Sequence, residues 1–222
     1  GAFDEEEMVL LEELTGNLSF ALNLMEKQKR LDYLAYYDVL TGLPNPALFR
    51  DRLEQRVSAA HRDQDVFSVI VFDLERFRNV NDTLGRGTGD ELLRQVAHRL
   101  KSAAGETDIL ARAGVDQFAL ATRRTRDAGE IVHILEQFMK GAFGLPIELG
   151  GRALRPAARA GVAVYPADGA DAETLLRNAE AALRAAKNKA ERYQFYAPQM
   201  NAAVAETLLL ENRMRGALEP SA

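Results

Sequence analysis

Two short apolar segments, Ile109-Leu110-Ala111 and Phe118-Ala119-Leu120-Ala121, flank the string Arg112-Ala113-Gly114-Val115-Asp116-Gln117. A strand, a Gly-led turn carrying one carboxylate, and a second strand is the simplest reading. Ile147 to Leu154 writes another hairpin around the pair Gly150-Gly151. Strands joined by hairpins run antiparallel. That excludes a doubly wound, all-parallel sheet and predicts an α/β fold with a mixed sheet covered by helices.

The remaining pattern fits such a sheet. Val66 to Leu74 is a continuous apolar run ending in carboxylates, as expected of a central strand buried on both faces. Ala157 to Tyr165 and Tyr193 to Tyr196 read as further strands. Helices are predicted from Pro46 to about His61, with Asn45 as cap, and over Arg76–Thr83. Thr88-Gly89-Asp90-Glu91 reads as a capping box opening a helix that runs to about Ala104. Asp127–Gly141 and the Ala-rich stretch from Asp171 to Lys189 complete the set, followed by an amphipathic segment from Met200 to Leu218.

Residues 4 to about 36 form one long helical pattern. Leu11, Leu14, Leu18, Ala21 and Met25 follow steps of three and four, and Leu10, Asn17, Leu24 and Leu31 keep a seven-residue step. A helix packed on its own domain is one reading. A parallel coiled coil joining two protomers is favoured, because a domain beginning near Tyr36 leaves this helix without a core. Three parts are therefore expected: residues 1–35 as linker helix, 36–197 as the main domain, and 198–222 as a connector.

Composition narrows the function. The 222 residues contain no Cys, which excludes disulfides and thiolate metal sites. A net charge of −5 exerts no global pull towards nucleic acid. No apolar run approaches the ~18 residues that span a bilayer, and no signal peptide is visible, so a cytoplasmic protein is expected.

The chemistry concentrates at strand ends. Asp73 closes the apolar strand and Asp116 sits at the hairpin tip. Two carboxylates so placed can share Mg²⁺, which takes one or two carboxylates with waters and substrate phosphates. Asp73 could equally cap the next helix, and Asp116 could be a plain turn residue. Arg76-Phe77-Arg78 offers backbone N–H groups and charge to phosphate oxygens. The histidines His61, His98 and His133 share no metal-ligand spacing.

The string Asp73-Leu74-Glu75-Arg76-Phe77-Arg78-Asn79-Val80-Asn81-Asp82, the hairpin, and Asp38-Val39-Leu40-Thr41-Gly42-Leu43-Pro44-Asn45 together resemble the GGDEF, or diguanylate cyclase, family over Tyr33–Tyr196. The resemblance implies a nucleotidyl-cyclase-like fold with a largely antiparallel central sheet. It also implies cyclic di-GMP made from two GTP across a homodimer. In it, Asp73, Asp116 and the carbonyl of Leu74 match the Mg²⁺ ligands. Arg76, Phe77, Arg78, Gly114 and Lys187 match phosphate contacts, and Asn81 with Asp90 match the guanine readers.

This chain departs from the pattern. Its hairpin reads G-V-D-Q-F. Val115 replaces a glycine and is expected to restrict the loop and turn its methyls towards the phosphates. Gln117 replaces the glutamate beside the metals, and an amide cannot act as a base. Ala190 and Glu191 stand where the family has a Gly-Arg pair, with Arg192 as a partial substitute. Gly105 takes the place of the arginine in the family's R-x-x-D inhibitory site, and Asp108 remains. A degenerate, catalytically silent domain that binds GTP is expected. The N-terminal helix resembles the last helix of a GAF sensor. The tail from Met200 resembles a connector into an EAL phosphodiesterase domain, the expected partner. A weak but active cyclase and an empty dimerisation scaffold are the alternatives.

Overall fold

A computed structural model of the chain describes residues 5–197. The connector predicted from Met200 onwards lies outside the described residues, as do the side chains of Leu10, Leu11 and Leu14. The elements are α1 (Glu5–Tyr36), α2 (Pro46–Asp63), β1 (Phe67–Leu74), α3 (Phe77–Leu84), α4 (Arg86–Ala103), β2 (Ile109–Arg112), β3 (Gln117–Ala121), α5 (Ala128–Phe143), β4 (Ile147–Leu149), β5 (Arg152–Leu154), β6 (Ala158–Tyr165), α6 (Ala172–Lys189) and β7 (Tyr193–Phe195).

Five strands form one sheet in the order β2-β3-β1-β6-β7. The β2–β3, β3–β1 and β1–β6 pairings are antiparallel, and β6–β7 is parallel. The parallel step follows from its connection, since α6 carries the chain back across the sheet between β6 and β7. The Gly150-Gly151 hairpin β4–β5 forms a separate small ribbon.

Strand periodicity divides the core. Ile70 and Phe72 of β1 pack with Phe118, Leu120 and Val162 against α4 and α5. Phe67, Val69 and Val71 pack with Ala119 and Ala163 against α2 and α6. Every residue of β1 is buried, which explains its unbroken apolar run. Asp73 continues the odd-numbered row, so its side chain emerges on the α6 side of the sheet. Gly161 lets α6 approach closely: a Cβ there would lie 2.1 Å from the Ala179 carbonyl oxygen.

One predicted start moves. α4 begins at Arg86 rather than at a capping box on Thr88, because Gly85, at φ +85°, ends α3 and caps α4 at once. Thr88 falls inside the first turn, where its hydroxyl donates back to the Leu84 carbonyl at 2.9 Å. Glu91 instead accepts from Arg94 and Gln95.

α1 leaves Leu18, Phe20, Leu22, Leu24, Met25 and Leu31 exposed. No helix among the described residues is long and apolar enough to cross a membrane.

Candidate functional site

The end of β1, the hairpin tip and the last turn of α6 converge on a cavity of about 360 Å³. Asp73, at 6% exposure, is buried at its floor. The backbone seats the hairpin there, because the Leu74 N–H donates to the Asp116 carbonyl at 2.9 Å. Asp73 Oδ2 receives two donors, Lys187 Nζ at 2.6 Å and Gln117 Nε2 at 2.8 Å. Burial raises the pKa of Asp116, and the neighbouring charge of Asp73 raises it further, opposed by Lys187 and Arg112.

The cavity also collects Glu75, Arg76, Phe77, Arg78 and Arg159. Arg159 stands directly across from Asp73 in the β1–β6 register. Its Nε donates to Glu75, and its Nη1 donates to the carbonyls of Ala186 and Lys187 at 3.0 and 3.1 Å. Cation and helix C-terminus are mutually favourable there. Arg76 takes a left-handed φ of +58° as it turns the chain from β1 into α3, and its side chain makes no capping hydrogen bond. Asp73 does not cap α3 either.

The hairpin is held by Arg112. Its Nη1 donates to both oxygens of Asp38 at 3.0 and 3.1 Å, while Nε and Nη2 reach the carbonyls of Gly114 and Val115 at 3.1 and 2.8 Å. Thr41 donates to the same Asp38 through its backbone and hydroxyl. Burial alone would raise the Asp38 pKa, but the hydrogen bonds from Thr41 and Arg112 outweigh it and hold it below the usual value. The turn-rich entry at 38–45 is thus the abutment of the hairpin.

Val115 does not carry the backbone strain expected of it. It is 73% exposed and does not line the cavity. Neither Val115 nor Gly114 adopts a positive φ. The turn therefore tolerates a β-branched residue without strain. Gly114 is constrained by Gln117, whose Oε1 would lie 3.3 Å from a Cβ at that position.

The predicted base readers come together on α3 and α4. Asn81 lies against Gly89, the neighbour of Asp90, so closely that a Cβ at position 89 would sit 1.8 Å from Asn81 Oδ1. Both Asn81 and Asp90 are half-buried. Neither lines the phosphate-side cavity. A second cavity, of about 490 Å³, is bordered by Asn79, Val80 and Thr83 of α3, not by Asn81.

The C-terminal substitutions are resolved by α6. Ala190 is its left-handed C-cap, at φ +56°, a position that favours glycine. Glu191 does not line the cavity. Arg192 does not line the cavity either and reaches Glu136 at 3.7 Å. At the inhibitory position both oxygens of Asp108 are engaged, by the N–H groups of Gly105 at 2.8 Å and Arg123 at 2.5 Å.

Arg159, Glu75, Arg112 and Gly89 were not singled out by sequence reasoning. A signal existed for Arg159, the one charged residue in the apolar strand Ala158–Tyr165. Alternation places it beside Asp73 only once the register is known.

The donor set does not fit Mg²⁺ as arranged. Two carboxylates converge, but the Asp73 oxygen that receives donors already has an ammonium and an amide. Among the described residues no group of three or more His, Asp or Glu side chains could hold a metal ion.

Comparison with known proteins agrees with this architecture. The model of the diguanylate cyclase GGDEF domain matches residues 35–192. The chain is 37% identical over 200 residues to the bifunctional diguanylate cyclase/cyclic di-GMP phosphodiesterase MucR of Pseudomonas aeruginosa, covering 90% of this chain and 29% of that protein. It is 32% identical to the cyclic di-GMP phosphodiesterase PdeR of Escherichia coli, over 86% of this chain and 29% of that one. The chain thus spans under a third of either relative. The solved GGDEF domain of Pseudomonas aeruginosa TpbB superposes with a TM-score of 0.70 at 28% identity, covering 77% of this chain and 99% of that one. GGDEF cyclases use Mg²⁺ with GTP. The chain belongs to the GGDEF family of cyclic di-GMP signalling domains.

Proposed function

We propose that this domain binds a guanine nucleotide without converting it, and that its occupancy regulates a C-terminal EAL phosphodiesterase domain. The observation that carries the reading is the Gln117–Asp73 hydrogen bond. A carboxylate at position 117 could draw a proton from an attacking hydroxyl. The amide has no basic oxygen for that task and spends its donor on Asp73. Recognition groups persist meanwhile: Asn81 and Asp90 offer an amide and a carboxylate for the guanine edge, and Arg76 and Arg78 border the cavity.

The exposed apolar side chains of α1 support a dimer through that helix, since Leu18, Leu22 and Met25 share one face at helical spacing and such a face gains by pairing with a second copy. Gly105 and the fully engaged Asp108 support weak binding of cyclic di-GMP at the inhibitory position.

A second reading, a slow but active cyclase, draws on the bifunctional relative MucR. Cyclic di-GMP formation from GTP, measured at protein concentrations that force dimerisation, separates the two. The silent-domain reading expects no product. Turnover typical of cyclases would overturn it.

A further inference from the structure

The cavity at the strand ends contains its own counter-ions. It is bordered by three carboxylates, Asp73, Glu75 and Asp116, and by four cations, Arg76, Arg78, Arg159 and Lys187, a net charge of plus one. Two of the carboxylates are internally paired: Asp73 with Lys187 at 2.6 Å and Glu75 with Arg159. Arg76 and Arg78 make no ion pair among the described residues and border the same space. A divalent cation normally does two things in such a corner. It neutralises the carboxylates and it draws in phosphate oxygens. Here Lys187 and Gln117 both engage Oδ2 of Asp73, and two unpaired guanidiniums remain for phosphate.

We propose that Lys187 and Gln117 stand in for the metal, so that this site holds the phosphates of a guanine nucleotide without a divalent cation. The ligand in this statement rests on the nucleotide-binding reading above. Gln117 is the determining residue. Its Nε2 lies 2.8 Å from Asp73 Oδ2. A glutamate there would bring a second carboxylate to within contact of Asp73, more negative charge than the single ammonium of Lys187 balances, and a divalent cation would relieve that repulsion. Gln117→Glu should therefore convert the site from metal-indifferent to metal-demanding.

The test is calorimetric titration of GTP, and separately GDP, into the full 222-residue chain, once with excess Mg²⁺ and once with EDTA. The wild-type dissociation constants should agree within about threefold, and Gln117→Glu should bind at least about tenfold more tightly with Mg²⁺ than without it. A wild-type protein that loses about tenfold or more in EDTA, or a Gln117→Glu variant no more metal-dependent than wild type, would overturn the proposal. No binding under either condition overturns the nucleotide reading, and the metal half is then decided alone by Mn²⁺ titration followed by electron paramagnetic resonance. Tighter Mn²⁺ binding by Gln117→Glu than by wild type upholds the stand-in role, and equal affinity overturns it.

Discussion

The base side and the phosphate side of the site have been treated differently by the sequence. On α3 and α4, Asn81 and Asp90 keep the residues expected of guanine readers, and Gly89 lets Asn81 lie directly against α4. At the strand ends the backbone frame is kept and the charges are reconnected: Asp73 faces Lys187 and Gln117, and Glu75 faces Arg159. Recognition of a base needs hydrogen-bond partners of fixed geometry. Phosphoryl chemistry needs, in addition, a base and a cation at the reacting atoms. A domain can lose the second requirement and keep the first, which is the expected state of a sensor of nucleotide rather than a consumer of it.

The largest effect that would sharpen this contrast is catalytic. Loss of a positioned base costs ~10²–10⁴-fold in rate. Gln117→Glu should accordingly raise cyclic di-GMP formation in the presence of Mg²⁺ above the wild-type background, read by chromatography of the product. Because Val115 is exposed and unstrained, Val115→Gly should add little on its own. A large gain from Val115→Gly alone would break the account of the hairpin.

The base side offers the next effect. Asp90→Ala removes the acceptor for the donor edge of guanine, and the preference for GTP over ATP should fall by roughly ten- to a hundredfold, the value of one charge-assisted hydrogen bond. Competition of ATP against a fluorescent guanine nucleotide measures it. An unchanged preference would place base recognition elsewhere.

Stability should respond at the Asp38–Arg112 clamp. Asp38→Asn at neutral pH should cost about 1.5–3 kcal/mol, since it weakens hydrogen bonds to a charged group that also hold the hairpin. The Asp38 pKa is lowered in the folded chain, so its contribution is fully present above the ordinary aspartate value of 3.8 and is lost as pH falls through the folded value. The gap between wild type and variant in urea denaturation should therefore narrow in acid. A gap independent of pH would assign the loss to packing.

Ala190→Gly should have the smallest effect and the opposite sign. Relief of the left-handed C-cap should stabilise the chain by about 0.5–1 kcal/mol, after the greater freedom of glycine in the unfolded state is set against it. Thermal melting reads the difference.

Much of the frame was legible because it obeys local periodicity. The unbroken apolar run of β1, the two hairpins and the Ala-rich α6 each announce their type within a few residues. The α4 start was misread because Thr88-Gly89-Asp90-Glu91 has the composition of a capping box, while Gly85 had already turned the chain into the helix. Val115 was misjudged for a related reason. Its identity suggested strain, but the observed turn needs no positive φ. The Lys187–Asp73 and Arg159–Glu75 pairs join residues far apart in the chain, and they follow from strand register and helix packing, which composition does not reveal.

On the proposed reading, nucleotide is held and not converted. GTP titrated calorimetrically into the chain, with the same mixture then assayed for cyclic di-GMP, tests both halves in one sample. The expected result is a saturable isotherm, micromolar or weaker, with guanine preferred over adenine and no product. A flat isotherm at millimolar GTP, or product accumulating at a rate typical of the family, would contradict it.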